Sequence, residues 1–144
     1  MIELKKEYVI DSDIESVWNF LNDIKQVTGC IPNLENLQID TPTKFRGKIK
    51  PPFSFIKGKF KIESEVKGSK EKESLTIIVK GSSIGASFEI TMDMSISSVS
   101  GTKIQIDVKI ETSGLLKTLP KSLIQKVAED IEAPMLGCMK EKLE

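Results

Sequence analysis

The sequence predicts an α+β fold: a curved, seven-stranded antiparallel sheet wrapped around a long C-terminal helix, with two short helices after the first strand. Three observations lead there. From residue 34 to residue 112 apolar side chains recur with period two between short turn signals, so successive strands pair antiparallel. Helical spacing occurs only just after the first strand and again over about 119–143. An antiparallel sheet has one face to bury, and the last helix is the only long element available to cover it. At 144 residues the chain is expected to form one domain, spanning 1–144.

The opening "IELKKEYVI" alternates Ile2, Leu4, Tyr8 and Ile10 on one face, with Lys6 as the interruption, and reads as strand one. Ser12 followed three residues later by Glu15 has the form of a capping box at a helix start. Ile14, Val17, Trp18 and Leu21 then share one helical stripe. A further helical turn should end near Gly29, because Pro32 cannot continue it. The remaining strands are placed at 34–40, 43–50, 56–67, 73–82, 86–98 and 102–112, with turns at Thr41-Pro42, Pro51-Pro52, Gly68-Ser69 and Ser100-Gly101. In the final helix Leu123, Val127, Ile131, Met135 and Cys138 fall on one side; Pro120 suits its first turn, and Pro134 is expected to kink it.

The inward face of the central strands is almost purely apolar. It reads Phe60, Ile62, Ser64 and Val66; then Leu75, Ile77 and Val79; then Ala86, Phe88, Ile90, Met92, Met94 and Ile96; then Ile104, Ile106, Val108 and Ile110. A filled core would account for this pattern. One helix of about 10–12 Å diameter, however, leaves a strongly curved seven-stranded sheet underfilled, and the expectation is an apolar cavity. Its lining is placed on the inward residues Phe60, Ile62, Leu75, Ile77, Val79, Phe88, Ile90, Met92, Ile106, Val108 and Ile110 and on the helix residues Leu123, Val127, Ile131 and Met135. Trp18 and Ile31 stand at the rim, the tryptophan either bracing the short helices or lining the entrance.

Several function classes recede on chemical grounds. The chain has no histidine, which removes the commonest general base and metal ligand, and no inward carboxylates converge. Neither a catalytic residue, a metal site nor a cofactor is expected. Lysine plus arginine equals aspartate plus glutamate at 21 each, so the global attraction typical of nucleic-acid binders is missing. Cys30 and Cys138 follow no metal or redox spacing and are expected to be two reduced, buried thiols. No apolar run approaches a membrane span, and a cytoplasmic location is expected. The outward residues Lys44, Arg46, Lys48, Lys50, Lys57, Lys59 and Lys61 form a basic cluster. It either keeps the sheet soluble or docks on anionic lipid or an acidic partner.

"VWNFLNDIKQVTGCIPNLENL", "FIKGKFKIESEV", "GSSIGASFEITM", the Gly101-Thr102 turn and "SGLLKTLPKSLIQKVAEDI" together span nearly the whole chain. They resemble the family of the carbon monoxide dehydrogenase G protein, within the START-like helix-grip superfamily that also holds polyketide cyclases. Val17, Trp18, Leu21, Asp23, Cys30, Ile31 and Pro32 match the family's N-terminal pattern. Asn33 stands where that pattern has glycine, and asparagine is a residue that tolerates a left-handed turn; Pro120 likewise replaces a common glycine. The resemblance implies a helix-grip ligand-binding domain. It also implies a noncatalytic carrier of a hydrophobic molecule, a lipid or an isoprenoid quinone, associated with a molybdenum hydroxylase-type dehydrogenase. An assembly factor for such an enzyme, and a cyclase or dehydrase acting on a polyketide-like substrate, are the alternatives.

Overall fold

A computed structural model describes residues 1–50 and 58–144. In chain order it runs β1 (Ile2–Ile10), α1 (Ile14–Leu21), α2 (Ile24–Gly29), β2 (Leu34–Thr41), β3 (Lys44–Ile49), β4 (Phe60–Lys70), β5 (Ser74–Ser83), β6 (Ala86–Val99), β7 (Gly101–Gly114), a 3-10 turn (Leu115–Thr118) and α3 (Lys121–Leu143). The expected α+β architecture is present: a seven-stranded antiparallel sheet, two short helices after its first strand, and one long C-terminal helix. Strand order is β1-β7-β6-β5-β4-β3-β2, so six sequential hairpin partners are joined at one edge by β1, which pairs with β7 from Ile2↔Ile110 to Ile10↔Thr102.

Several local expectations need correction. The cap of α1 is Asp13, not Ser12: its carboxylate accepts from the Ser16 amide at 3.4 Å and from the Ser16 hydroxyl at 2.5 Å. A carboxylate one residue nearer the helix outcompetes the serine because it offers two charged acceptor oxygens. The hairpin expected at Gly68-Ser69 lies at Glu71–Glu73, where Lys72 takes a φ of 58° and the Glu73 amide donates to the Lys70 carbonyl at 2.9 Å. Gly68 instead marks a register shift inside β4. Pro120 sits just before α3 rather than in its first turn, following a 3-10 turn that strand periodicity had run into. The helix continues through Pro134 to Leu143. Asn33 does adopt the left-handed conformation, φ 61°. The Pro51-Pro52 turn and the first residues of the strand expected at 56–67 lie outside the described residues.

Apolar packing divides into two groups. One contains Ile10, Val17, Trp18, Phe20, Cys30, Leu75, Ile96, Ile104 and Met139, with Leu136, Cys138 and Leu143 packed against it. The other contains Phe45, Phe60, Ile62, Ala86 and Leu116. The first group lies where α1, α2 and the C-terminal half of α3 meet the sheet, and it is dense: Leu75 is 1% exposed. Trp18 belongs there. It braces the short helices against the sheet, and the Asn22 amide nitrogen, donating to the Trp18 carbonyl at 2.9 Å, closes the end of α1.

The corner after α2 carries the largest correction. Cys30 and Cys138 are joined in a disulfide, with their Cα atoms 5.5 Å apart. Nothing in a sequence separation of 108 residues could reveal this, because the two thiols meet only once the corner and α3 fold onto the same end of the sheet.

Asp23 caps α2 by accepting from the amides of Lys25 and Gln26 and from the Gln26 side chain at 2.8 Å. These hydrogen bonds, the Gln26 side chain foremost, hold its carboxyl below the usual range. A lowered folded pKa gives stability that is present above the unfolded pKa, near 4, and is lost as pH falls through the lower folded value. Asp23→Asn is therefore expected to narrow the gap between urea midpoints measured at neutral pH and near pH 3. An unchanged gap would remove Asp23 from the acid response.

Candidate functional site

Period-two alternation aims the odd or even residues of each strand at the helix, and α3 then decides which of them face empty space. Where its N-terminal half crosses the sheet, a cavity of about 120 Å³ remains. Its lining comes from Ile49 on β3, Phe60 and Ile62 on β4, Phe88 and Ile90 on β6, Ile110 and Thr112 on β7, Leu116 in the 3-10 turn, and Ile124, Val127, Ala128 and Ile131 on α3. No polar atom contributes exposed surface to that lining, Thr112 included. Phe60 and Phe88 lie with ring centroids 5.5 Å apart and tilted by 50°, an arrangement aromatic pairs favour.

Gly81 makes room for this pair. It lies directly opposite Phe88 in the β5–β6 register, and a Cβ at position 81 would fall within the Phe88 ring. The absent side chain lets the ring fold flat across the neighbouring strand and leaves the cavity open beside it.

Of the residues expected to line the cavity, the structure brings together Phe60, Ile62, Phe88, Ile90, Ile110, Val127 and Ile131. Leu75, Ile77 and Ile106 share the inward face but belong to the dense packing at the other end. Trp18 packs there too, while Ile31 packs against the Phe45 and Phe60 group rather than on the lining. Val79, Met92, Val108, Leu123 and Met135 are half-buried and off the lining. On α3 the inward stripe is shifted by one residue. Ile124, not Leu123, is buried, and Ile124, Val127, Ala128 and Ile131 follow helical spacing onto the sheet. Ile49, Thr112, Leu116, Ile124 and Ala128 were not anticipated. Extending the inward alternation of β3 and β7 by one step would have found Ile49 and Thr112, and Ala128 is the small residue that leaves the space.

The side of the cup between β1 and α3 is closed by charge. Lys6, the interruption in strand one, reaches Glu129 of α3 at 3.4 Å. Burial pushes the nearby Glu132 carboxyl up, and the Lys6 charge works against that shift.

The expected basic patch is largely neutralised. Lys44 pairs with Glu63 at 3.1 Å, Arg46 with Asp40 at 2.8 Å, and Lys59 with Glu35. Lys48 and Lys61 stand directly opposite each other and enter no ion pair among the described residues; Lys57 lies outside those residues. Lys50 is exposed at the end of the described N-terminal stretch. Lys48 and Lys61, with Glu89 and Glu111, line a wide trough of about 1070 Å³ on the outer face of the sheet. That trough is larger than the inner cavity, but its charged walls are open to water and enclose nothing.

Among the described residues no cluster of three or more His, Cys, Asp or Glu is arranged to hold a metal ion, and no helix is long and apolar enough to cross a membrane.

The family model for CoxG, the G component of carbon monoxide dehydrogenase, matches residues 7–144. No curated protein sequence matches the chain. Among solved structures, a conserved protein from Geobacillus kaustophilus aligns with a TM-score of 0.88 at 15% identity, covering 99% of this chain and 95% of that one. A START superfamily protein from Mycobacterium smegmatis aligns with a TM-score of 0.72 at 13% identity, covering 98% and 96%. At these identities the likeness is one of fold.

Proposed function

For a chain that belongs to the carbon monoxide dehydrogenase CoxG family, we propose the role of a noncatalytic carrier for a hydrophobic small molecule, a lipid or isoprenoid quinone, that serves a carbon monoxide dehydrogenase-like redox enzyme. The supporting observation is the cavity whose exposed lining is wholly apolar. A group bound there gains about 0.8 kcal/mol for each methylene withdrawn from water and meets no hydrogen-bonding partner, which favours a hydrocarbon tail over a polar head. A volume of about 120 Å³ approaches that of engineered apolar cavities, about 150 Å³, that hold a benzene ring. The enclosed part is thus a single ring or short branched unit, and a longer tail continues past the mouth.

Organic extraction of gently purified protein, followed by mass spectrometry, is expected to yield a stoichiometric apolar molecule. Gly81→Ala supplies the internal control. The new methyl displaces the Phe88 ring, a movable group, into the cavity, so the variant should fold with a loss within about 3 kcal/mol, as overpacked cores do, yet carry no ligand. Wild-type protein free of any apolar molecule, or a Gly81→Ala variant loaded as fully as wild type, would contradict the proposal. A second reading, an assembly factor for a molybdenum hydroxylase, is favoured by the charged outer trough. It predicts unaltered assembly of the partner enzyme with Gly81→Ala and impaired assembly when Lys48 and Lys61 are reversed to glutamate.

A further inference from the structure

The hairpin between β5 and β6 ends in Ser83-Ile84-Gly85, and the Ile84 side chain is 102% exposed: nothing in the described chain touches it. This tip is firmly built. The Leu115 amide donates to the Gly85 carbonyl at 2.8 Å, Gly85 and Gly114 take φ values of 78° and 65°, and a Cβ on Gly114 would collide with the Gly85 carbonyl. Two glycines therefore weld the hairpin to the start of the 3-10 turn, where Leu115 is 45% exposed. The next residue along, Leu116, turns inward and lines the cavity, and Ala86 packs in the same group as Leu116. A fixed apolar point thus stands at the cavity's own end of the molecule.

Its surroundings are basic. Residues 80–88 and 112–128, the two stretches that form this end, carry Lys80, Lys117, Lys121 and Lys126, all exposed, and no carboxylate. In a chain with 21 charges of each sign that segregation is local. We propose that this tip docks on an anionic lipid surface, with Ile84 and Leu115 entering the boundary between headgroups and acyl chains while the lysines meet the headgroups. One fully exposed isoleucine and one half-exposed leucine offer far less than the roughly 800 Å² per side that a stable protein partner covers. An aliphatic point ringed by lysine is what an interfacial site requires, and its rigidity means that little freedom is lost on docking. The inference rests on the carrier reading for its purpose, since the docked tip sets the cavity end against the lipid from which an apolar cargo would come.

Co-sedimentation with mixed phosphatidylcholine and phosphatidylglycerol vesicles tests the proposal directly. Wild type should bind them, and bind pure phosphatidylcholine vesicles and high-salt samples weakly. Ile84→Asp and the pair Lys117→Glu with Lys121→Glu should each weaken binding about tenfold or more. Reversal of Lys48 and Lys61 on the outer face should leave binding unchanged. Because Ile84 touches nothing, Ile84→Asp should unfold at the wild-type temperature. Should it fold poorly, Ile84→Trp decides: the fluorescence of the introduced indole should shift blue on anionic vesicles and be quenched by brominated acyl chains. Wild type that ignores anionic vesicles, an Ile84→Asp variant that binds as wild type does, or an introduced indole whose emission stays that of a water-exposed group would overturn the proposal. Vesicle binding through the tip by protein that yields no extracted ligand would leave the docking site standing and remove the carrier.

Discussion

Cys30→Ala with Cys138→Ala is expected to lower the unfolding free energy by about 4 to 5 kcal/mol, the loss of chain-entropy restraint for a loop of about a hundred residues. The bond spans 108 residues and connects the corner after α2 to the C-terminal half of α3. Around it the helix end is held by Met139, Leu136 and Leu143 in the Trp18 group and by the Glu144 carboxylate, which accepts from the Asp11 amide at 2.8 Å. The N-terminal half of α3 is the wall of the cavity. Freed of its covalent anchor, the helix should fray from the sheet before the sheet itself unfolds, so the loss should register first as faster amide exchange in α3. Urea unfolding of wild type with and without a dithiol reductant, beside the double variant without it, measures the effect. Alanine is preferred to serine because Cys30 is buried and a hydroxyl there would need a partner. If reductant moves the midpoint of the wild type no more than that of the variant, or if unreduced protein titrates two free thiols, the bond does not hold the fold.

Ile90→Asp should be nearly as damaging, and its cost should depend on pH. Ile90 faces a cavity with no polar exposed lining, opposite Val79 and Ile110 in the sheet. A carboxylate there has no donor to accept from, so burial favours its neutral form and raises its folded pKa. Below the unfolded pKa, near 4, both states carry the proton and only the lost packing counts. As pH rises above that value the penalty grows, until it levels off at the raised folded pKa. At neutral pH the total should be about 3 kcal/mol or more, with apolar ligand lost. Melting temperatures of variant and wild type from pH 3 to 8 would show this as a gap that widens with pH. A constant gap would mean that position 90 reaches water, and that the cavity is not the dry enclosure on which a hydrocarbon tail depends.

The sequence by itself determined the elements and their faces. Period-two alternation fixes which side chains of β4 to β7 point inward, because a strand has only two faces and its neighbours repeat the pattern. Helical spacing, Pro32 and Asn33 likewise mark α1, α2 and their corner through local backbone preferences. The same local rules decided the family-level resemblance, which runs through those segments.

Tertiary structure decided everything that depends on two distant segments meeting. Leu75 and Ile90 look alike in sequence, both inward and aliphatic; only the positions of α1, α2 and the two halves of α3 make one part of the dense packing and the other a cavity wall. Trp18 could not be assigned to brace or entrance until its neighbours were known. The cations Lys44, Arg46 and Lys59 read as a patch because their partners Glu63, Asp40 and Glu35 lie on other strands or across a hairpin, brought close only by strand register. Cys30 and Cys138 are two thiols in a sequence and one bond in a fold, since bonding needs Cα atoms within about 7 Å and that distance is set by the packing of α3.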